Sequence, residues 1–203
     1  VTGAQFQTYV AMRHGTPSMA EARQRMAADG ITKVVLLPLQ PHFAASTTGS
    51  SLSHWASVRG GDTLPTTLVT EYATHPMLVR AINERIDEAL QRFPRESRDD
   101  VQVLFAAQGA PRRHLAQYDD PYCCHVEATV RAVLADRGEP DRRVQVAYRD
   151  PLGSGHARGL SVADAIDDLA DDGSMALLVV PVSFISDRVE TAFDLDVTAR
   201  VRA

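Results

Sequence analysis

Cysteine, excess positive charge and long apolar runs are all scarce in this chain, and each shortage excludes something. The two cysteines, Cys123 and Cys124, are adjacent. Neighbouring thiols pair poorly because the ring they would close is strained, and two are too few for a four-thiolate iron–sulfur cluster. The expectation is a reduced, cytoplasmic protein with packed thiols. No segment reaches the roughly 18 to 20 apolar residues of a membrane span. The opening stretch from Val1 to Val10 has neither the basic start nor the long apolar centre of a secretory signal. With 26 acidic against 21 basic residues and a formal net charge of -5, the chain offers no basic face for nucleic acid. The short basic pair Arg112–Arg113 reads as a solvated loop.

What is present is ordinary for a globular protein: 44% hydrophobic and 23% charged residues over 203 positions, enough to bury a core without disulfide or metal staples. Apolar runs bounded by turn residues alternate with stretches of helical period. Strands are expected at Phe6 to Met12, Lys33 to Leu39, Thr66 to Glu71, Val101 to Ala107, Val144 to Tyr148 and Met175 to Val182. The run KVVLLPL at Lys33–Leu39 has the continuous apolar character of a strand buried on both faces. Helices are expected at Ser18 to Ala28, stopped by Asp29–Gly30, at Pro76 to Phe93, at Asp120 to Arg137, at Val162 to Asp172 and at Asp187 to Asp196. This alternation predicts α/β architecture with parallel sheets covered by helices. The polar stretch Pro94 to Asp100 reads as a linker, giving lobes at 1–94 and 95–203.

Ligands of such sheets sit beyond the carboxyl ends of the strands. Three stretches lie there. Gln40-Pro41-His42-Phe43 leads into the hydroxyl-rich run Ser46-Thr47-Thr48-Gly49-Ser50-Ser51. Such a run can bind anions through backbone N–H groups, although a plain helix cap is its commoner use, and a single histidine is more often structural than a ligand. Gln108-Gly109-Ala110-Pro111 is a tight turn. Ser183-Phe184-Ile185-Ser186-Asp187-Arg188-Val189-Glu190 is followed by Asp194, four residues on from Glu190 and so on the same side of a helix. Paired carboxylates can attract a divalent cation or pass protons; a solvated acidic face is the plainer alternative.

Taken together and in order, these segments resemble the ferrochelatase family, whose enzymes insert ferrous iron into a porphyrin. The resemblance is carried by Tyr9-Val10-Ala11-Met12-Arg13, the turn Pro41–Phe43, the run STTGSSL at Ser46–Leu52, Asp120-Pro121-Tyr122, Gly153 in the loop PLGSG, Pro181 to Asp187, Glu190-Thr191 and Phe193 to Asp196. It implies two Rossmann-like, chelatase-type lobes with a porphyrin cleft between them. It also implies a further strand and helical lip before Val1 and a final helix after Ala203. Carried over residue by residue, it gives His42, Glu190 and Asp194 as metal contacts, with Glu190 and His42 catalytic beside Gln108. Arg13, His14, Ser46, Thr47, Thr48, Phe184 and Gly153 become porphyrin contacts. Ferrous iron is a substrate, and neither an organic cofactor nor an iron–sulfur cluster is expected. Oligomeric state and peripheral membrane contact stay open.

The departures bear on activity. The family has Ser-Ala-His where this chain has Ala106-Ala107-Gln108. Metallation releases two pyrrole protons; a neutral imidazole accepts a proton near pH 7, whereas a glutamine amide only hydrogen bonds. Arg188 stands where relatives have histidine, able to pair with Asp187 or Glu190. The loop Tyr148–His156 lacks the tryptophan usual in relatives. The expectation is ferrochelatase-type insertion of Fe2+ into protoporphyrin IX or coproporphyrin. The alternatives are a degenerate relative that binds porphyrin, haem or metal without turnover, and a chelatase for another tetrapyrrole. His54, His75, His114 and His125 read as surface or structural, as does His156, which borders the glycine loop.

Overall fold

The computed structural model describes residues 5–58, 64–109, 119–149 and 159–203. Backbone contacts gather into two units, Val1–Pro38 with Ala44–Thr70, and Leu39–Phe43 with Glu71–Ala203.

In the first unit, helix α1 (Met19–Ala28) starts where the sequence says it should. The Ser18 hydroxyl accepts from the Glu21 N–H, and the Glu21 carboxylate accepts from the Ser18 N–H, a reciprocal capping box. Met19, Ala22 and Met26, spaced by three and four, form one inward face against Val34 and Trp55. The helix ends at Asp29, and Gly30 takes a left-handed φ of 69°. Strand β1 (Val34–Leu36) runs parallel to β2 (Thr66–Leu68), with Val35 opposite Thr67. Helix α2 (Ser50–Val58) follows a π-helical turn, Ala45–Gly49.

Two expectations fail here. The Lys33–Leu39 strand is only three residues long and is not covered on both faces: Val35 is 54% exposed and Leu37 59%. Among the described residues β1 pairs with β2 alone, and Pro38 has no N–H to continue a ladder. Phe6 to Met12 is not a strand either. Its one pairing among the described residues is an isolated bridge from Met12 to Ser18, and Phe6 and Val10 face solvent; extended chain becomes strand only beside a hydrogen-bonding neighbour.

The second unit is a four-stranded parallel sheet in the order β5-β4-β3-β6, built from β3 (Gln102–Gln108), β4 (Gln145–Arg149), β5 (Leu160–Ser161) and β6 (Leu177–Pro181). Strand β3 is central, with Phe105 between Val146 of β4 and Val180 of β6. Its side chains alternate between two cores. Leu104 and Ala106 join Ala147, Val162, Ala165, Ile166 and Ala199 on one face. Val103 and Phe105 meet Ile86 and Leu90 of α3 (Pro76–Leu90) and Leu134 of α4 (Tyr122–Asp136) on the other. Helix α5 (Val162–Asp171) connects β5 to β6. The chain closes with a π-helix, Glu190–Ala199, and a last turn α6 (Arg200–Arg202). Arg202 Nε donates to Asp167 of α5 at 2.8 Å.

Helix α3 counts with this unit, not the first. Asn83 Nδ2 donates to Asp136 Oδ2 of α4 at 2.7 Å, and Arg137 pairs with Asp87 at 2.8 Å. The stretch expected to be a linker contains a 3-10 helix, Arg95–Asp100, inside the second unit, and the chain passes between the units at Pro38–Leu39, Phe43–Ala44 and Thr70–Glu71. Polar composition marks exposure; it does not say which side a helix packs on.

Phe105 is fully buried at the centre of the sheet. Phe105→Ala is expected to destabilise the protein by about 3–5 kcal/mol, read as a lower urea midpoint at unchanged slope.

Candidate functional site

Parallel strands bring three carboxyl ends to one edge of the second unit's sheet: Gln108 ends β3, Arg149 ends β4 and Pro181 ends β6. Just past β6, Ser183 is buried. Its hydroxyl accepts from the Gln108 N–H at 3.3 Å and lies 2.7 Å from the Tyr122 hydroxyl. Tyr122 opens α4, where its own N–H donates to Asp120 Oδ1 at 3.0 Å. Burial pushes the Tyr122 phenol well above its ordinary range, with the Ser183 hydrogen bond acting the other way, so it remains a neutral hydroxyl.

The Tyr122 and His42 rings meet in a T-shaped contact, with centroids 5.9 Å apart and planes at 81°. His42 is 2% exposed. Its Nε2 lies 2.8 Å from the Thr129 hydroxyl, while its Nδ1 is buried with no hydrogen-bond partner among the described residues. The neighbouring Phe43 N–H donates to Nδ1 of His125 at 3.2 Å. Burial, and then the nearby His125, lower the His42 pKa to about 4. The imidazole is therefore neutral at pH 7, as metal ligation or proton uptake needs. The side-chain oxygen of Gln108 is likewise buried without a donor among the described residues. Leaving such an acceptor unmet costs on the order of 1–3 kcal/mol, which a cation or an N–H donor on a ligand would offset.

Asp194, expected to contact metal, is half-buried in the closing π-helix and forms an ion pair with Arg149. The guanidinium already supplies the positive charge that a divalent cation would bring. Glu190 opens the same π-helix. The Arg188 backbone N–H donates to the Thr191 hydroxyl at 2.9 Å. Phe184 is half-buried after β6. No group of three or more His, Cys, Asp or Glu side chains is placed to hold a metal among the described residues.

The remaining expected residues belong to the first unit. Arg13 Nε donates to the Ser50 hydroxyl at the start of α2, at 3.1 Å, and His14 is exposed. Ser46 is exposed, Thr47 half-buried and Thr48 fully buried, its hydroxyl without a partner among the described residues. The hydroxyl run does not cap a helix. Ala44 is the N-cap, no side chain caps the turn, and the Thr47 hydroxyl turns back to the Ala44 carbonyl at 3.4 Å. Gly153, His114 and His156 lie outside the described residues.

Sequence reasoning missed Thr129, Arg149 and the part played by His125. Thr129 sits mid-helix without any motif around it. Tyr122 and Ser183 were visible as members of the DPY and PVSF segments, but their contact was not.

A family model described as Ferrochelatase matches residues 1–203. Over 202 residues the chain is 35% identical to the ferrochelatase of Gloeobacter violaceus, covering 98% of this chain and 61% of that one. It is 31% identical over 204 residues to the ferrochelatase of Citrifermentans bemidjiense, covering 96% and 61%. It is 33% identical over 202 residues to that of Thermosynechococcus vestitus, covering 98% and 51%. The chain thus spans about three fifths or less of these relatives' length.

A histidine that titrates at about 4 when folded and near 6.5 when unfolded leaves the unfolded chain holding more protons between those values. Stability therefore falls as pH drops through that window. In the metal-free protein, His42→Asn is expected to reduce the loss of stability between pH 7 and pH 5 by about 2 kcal/mol, measured by urea unfolding at both pH values.

Proposed function

The chain belongs to the ferrochelatase family, and from that premise we propose that it inserts Fe2+ into a porphyrin, protoporphyrin IX or coproporphyrin, in cytoplasmic haem synthesis. The observation that carries the reading is the buried His42 Nδ1 beside Tyr122, without a donor among the described residues, with a second such acceptor, Gln108 Oε1, at the end of β3. Metallation needs groups of this kind. The incoming metal replaces two pyrrole hydrogens, which leave as protons while the nitrogen lone pairs bind the cation. A neutral imidazole can take such a proton or hold the metal on its way. An amide oxygen can orient a pyrrole N–H but cannot take its proton.

In this reading His42 supplies the lone pair and Gln108 a hydrogen-bond acceptor, and Glu190 is the carboxylate that receives protons or metal. Arg13, His14, Ser46, Thr47, Thr48, Phe184 and Gly153 are proposed porphyrin contacts. Arg13 is suited to a propionate: its Nε is held by Ser50, and a guanidinium can offer further N–H donors to an anion. A second reading, porphyrin or metal binding without turnover, is favoured by Gln108 in place of histidine and by the Arg149–Asp194 ion pair, which neutralises a carboxylate expected to serve the metal.

Anaerobic metallation followed by porphyrin absorbance separates the two. The parent is expected to turn over slowly, and Gln108→His to raise the rate by about two to four orders of magnitude, the usual contribution of a positioned base. Turnover by Gln108→His alone would establish the binding-only reading for the parent. No change in the porphyrin spectrum with either protein would overturn both.

A further inference from the structure

A hydroxyl group has one hydrogen and can donate only once. The Thr129 hydroxyl has three neighbours: the Ala73 carbonyl at 2.7 Å, the His125 carbonyl at 3.1 Å and His42 Nε2 at 2.8 Å. The two carbonyls can only accept. Thr129 must therefore spend its single hydrogen on them, directed chiefly at the nearer Ala73 oxygen, or leave a buried carbonyl facing an oxygen lone pair. Its own lone pair is then what His42 Nε2 meets, so Nε2 is the nitrogen that carries hydrogen. The other nitrogen, Nδ1, is left with a bare lone pair, and it is the ring nitrogen with no partner among the described residues.

Orientation is fixed along with the tautomer. Thr129 is fully buried in α4, and the T-shaped contact with the Tyr122 ring restricts rotation from a second side. Ala73 precedes α3 and Thr129 lies within α4, so the hydroxyl is held by a carbonyl of a different segment. A helical threonine bonding only to the carbonyl four residues back would have no such second anchor.

We propose that Thr129 is the positioning residue of His42: it holds the imidazole as the Nε2–H tautomer and presents Nδ1 as the lone pair for a divalent cation or a pyrrole N–H. Thr129 itself touches neither. What Nδ1 meets rests on the metallation reading above; the tautomer does not.

The test is made on the metal-free protein labelled with 15N-histidine, with the His42 signals assigned by their loss in His42→Asn. Long-range 1H–15N spectra at neutral pH are expected to show a protonated Nε2 and an unprotonated Nδ1. Thr129→Ser, which keeps the hydroxyl, should preserve that pattern. Thr129→Val, which removes it at similar volume, should abolish the single tautomer. Added Zn2+, the probe metal, should perturb the Nδ1 signal of the parent and of Thr129→Ser, and bind about 10–100-fold more weakly to Thr129→Val, the usual loss when an outer-shell partner is removed. A protonated Nδ1 in the parent would overturn the proposal without any variant. So would an unchanged tautomer and unchanged Zn2+ affinity in folded Thr129→Val. Absence of porphyrin metallation by a parent with the expected tautomer would instead count against the metallation reading alone.

Discussion

Strand β3 has no face turned to water, and most of the second unit follows from that constraint. Five consecutive residues from Val103 to Ala107 are buried, so the strand needs a neighbour on each edge and helices over both faces. The neighbours are β4 and β6, both parallel to it. Parallel pairing forces each connection to cross back over the sheet. The returning helices cover Val103 and Phe105 on one side and Leu104 and Ala106 on the other. Because all these strands point the same way, Gln108, Arg149 and the Ser183 segment arrive at one edge without any further interaction being needed to gather them.

The chemistry at that edge is set by an imbalance between donors and acceptors. Tyr122, Ser183 and the Gln108 N–H satisfy one another, and Thr129 is committed to the Ala73 carbonyl and the His42 ring. Among the described residues, this leaves His42 Nδ1 and Gln108 Oε1 as buried acceptors without a donor. A site with this surplus suits a ligand that brings hydrogen-bond donors or positive charge. The ion pair of Arg149 with Asp194 works against a cation at that one carboxylate, shifting the balance of the site towards the imidazole.

Local signals in the sequence were read well where short-range physics decides. Ser18 followed by Glu21 announces the start of α1, and Asp29–Gly30 its end, because capping and left-handed backbone depend on residues three or four positions apart. The buried strands around Ala106 and Val180 were legible from uninterrupted apolar runs. The same rule failed at Lys33–Leu39, where equal apolarity met only one neighbouring strand among the described residues. It failed also at Ser46–Gly49, where hydroxyls suited to capping lie within a π-helical turn whose N-cap is Ala44.

The sequence by itself determined the α/β alternation, most element positions and, through the motifs from Pro41–Phe43 to Glu190–Thr191, the family. It also made plain that Gln108 stands where a base is expected. Only the tertiary structure decided that α3 packs on α4, that Arg149 reaches Asp194, and that His42 lies against Tyr122 and Thr129. These contacts join residues 45 to 87 positions apart in the chain. The reason is physical: caps, turns and periodicity act within a few residues, whereas the tautomer of an imidazole depends on which distant hydroxyl the fold brings to its nitrogen.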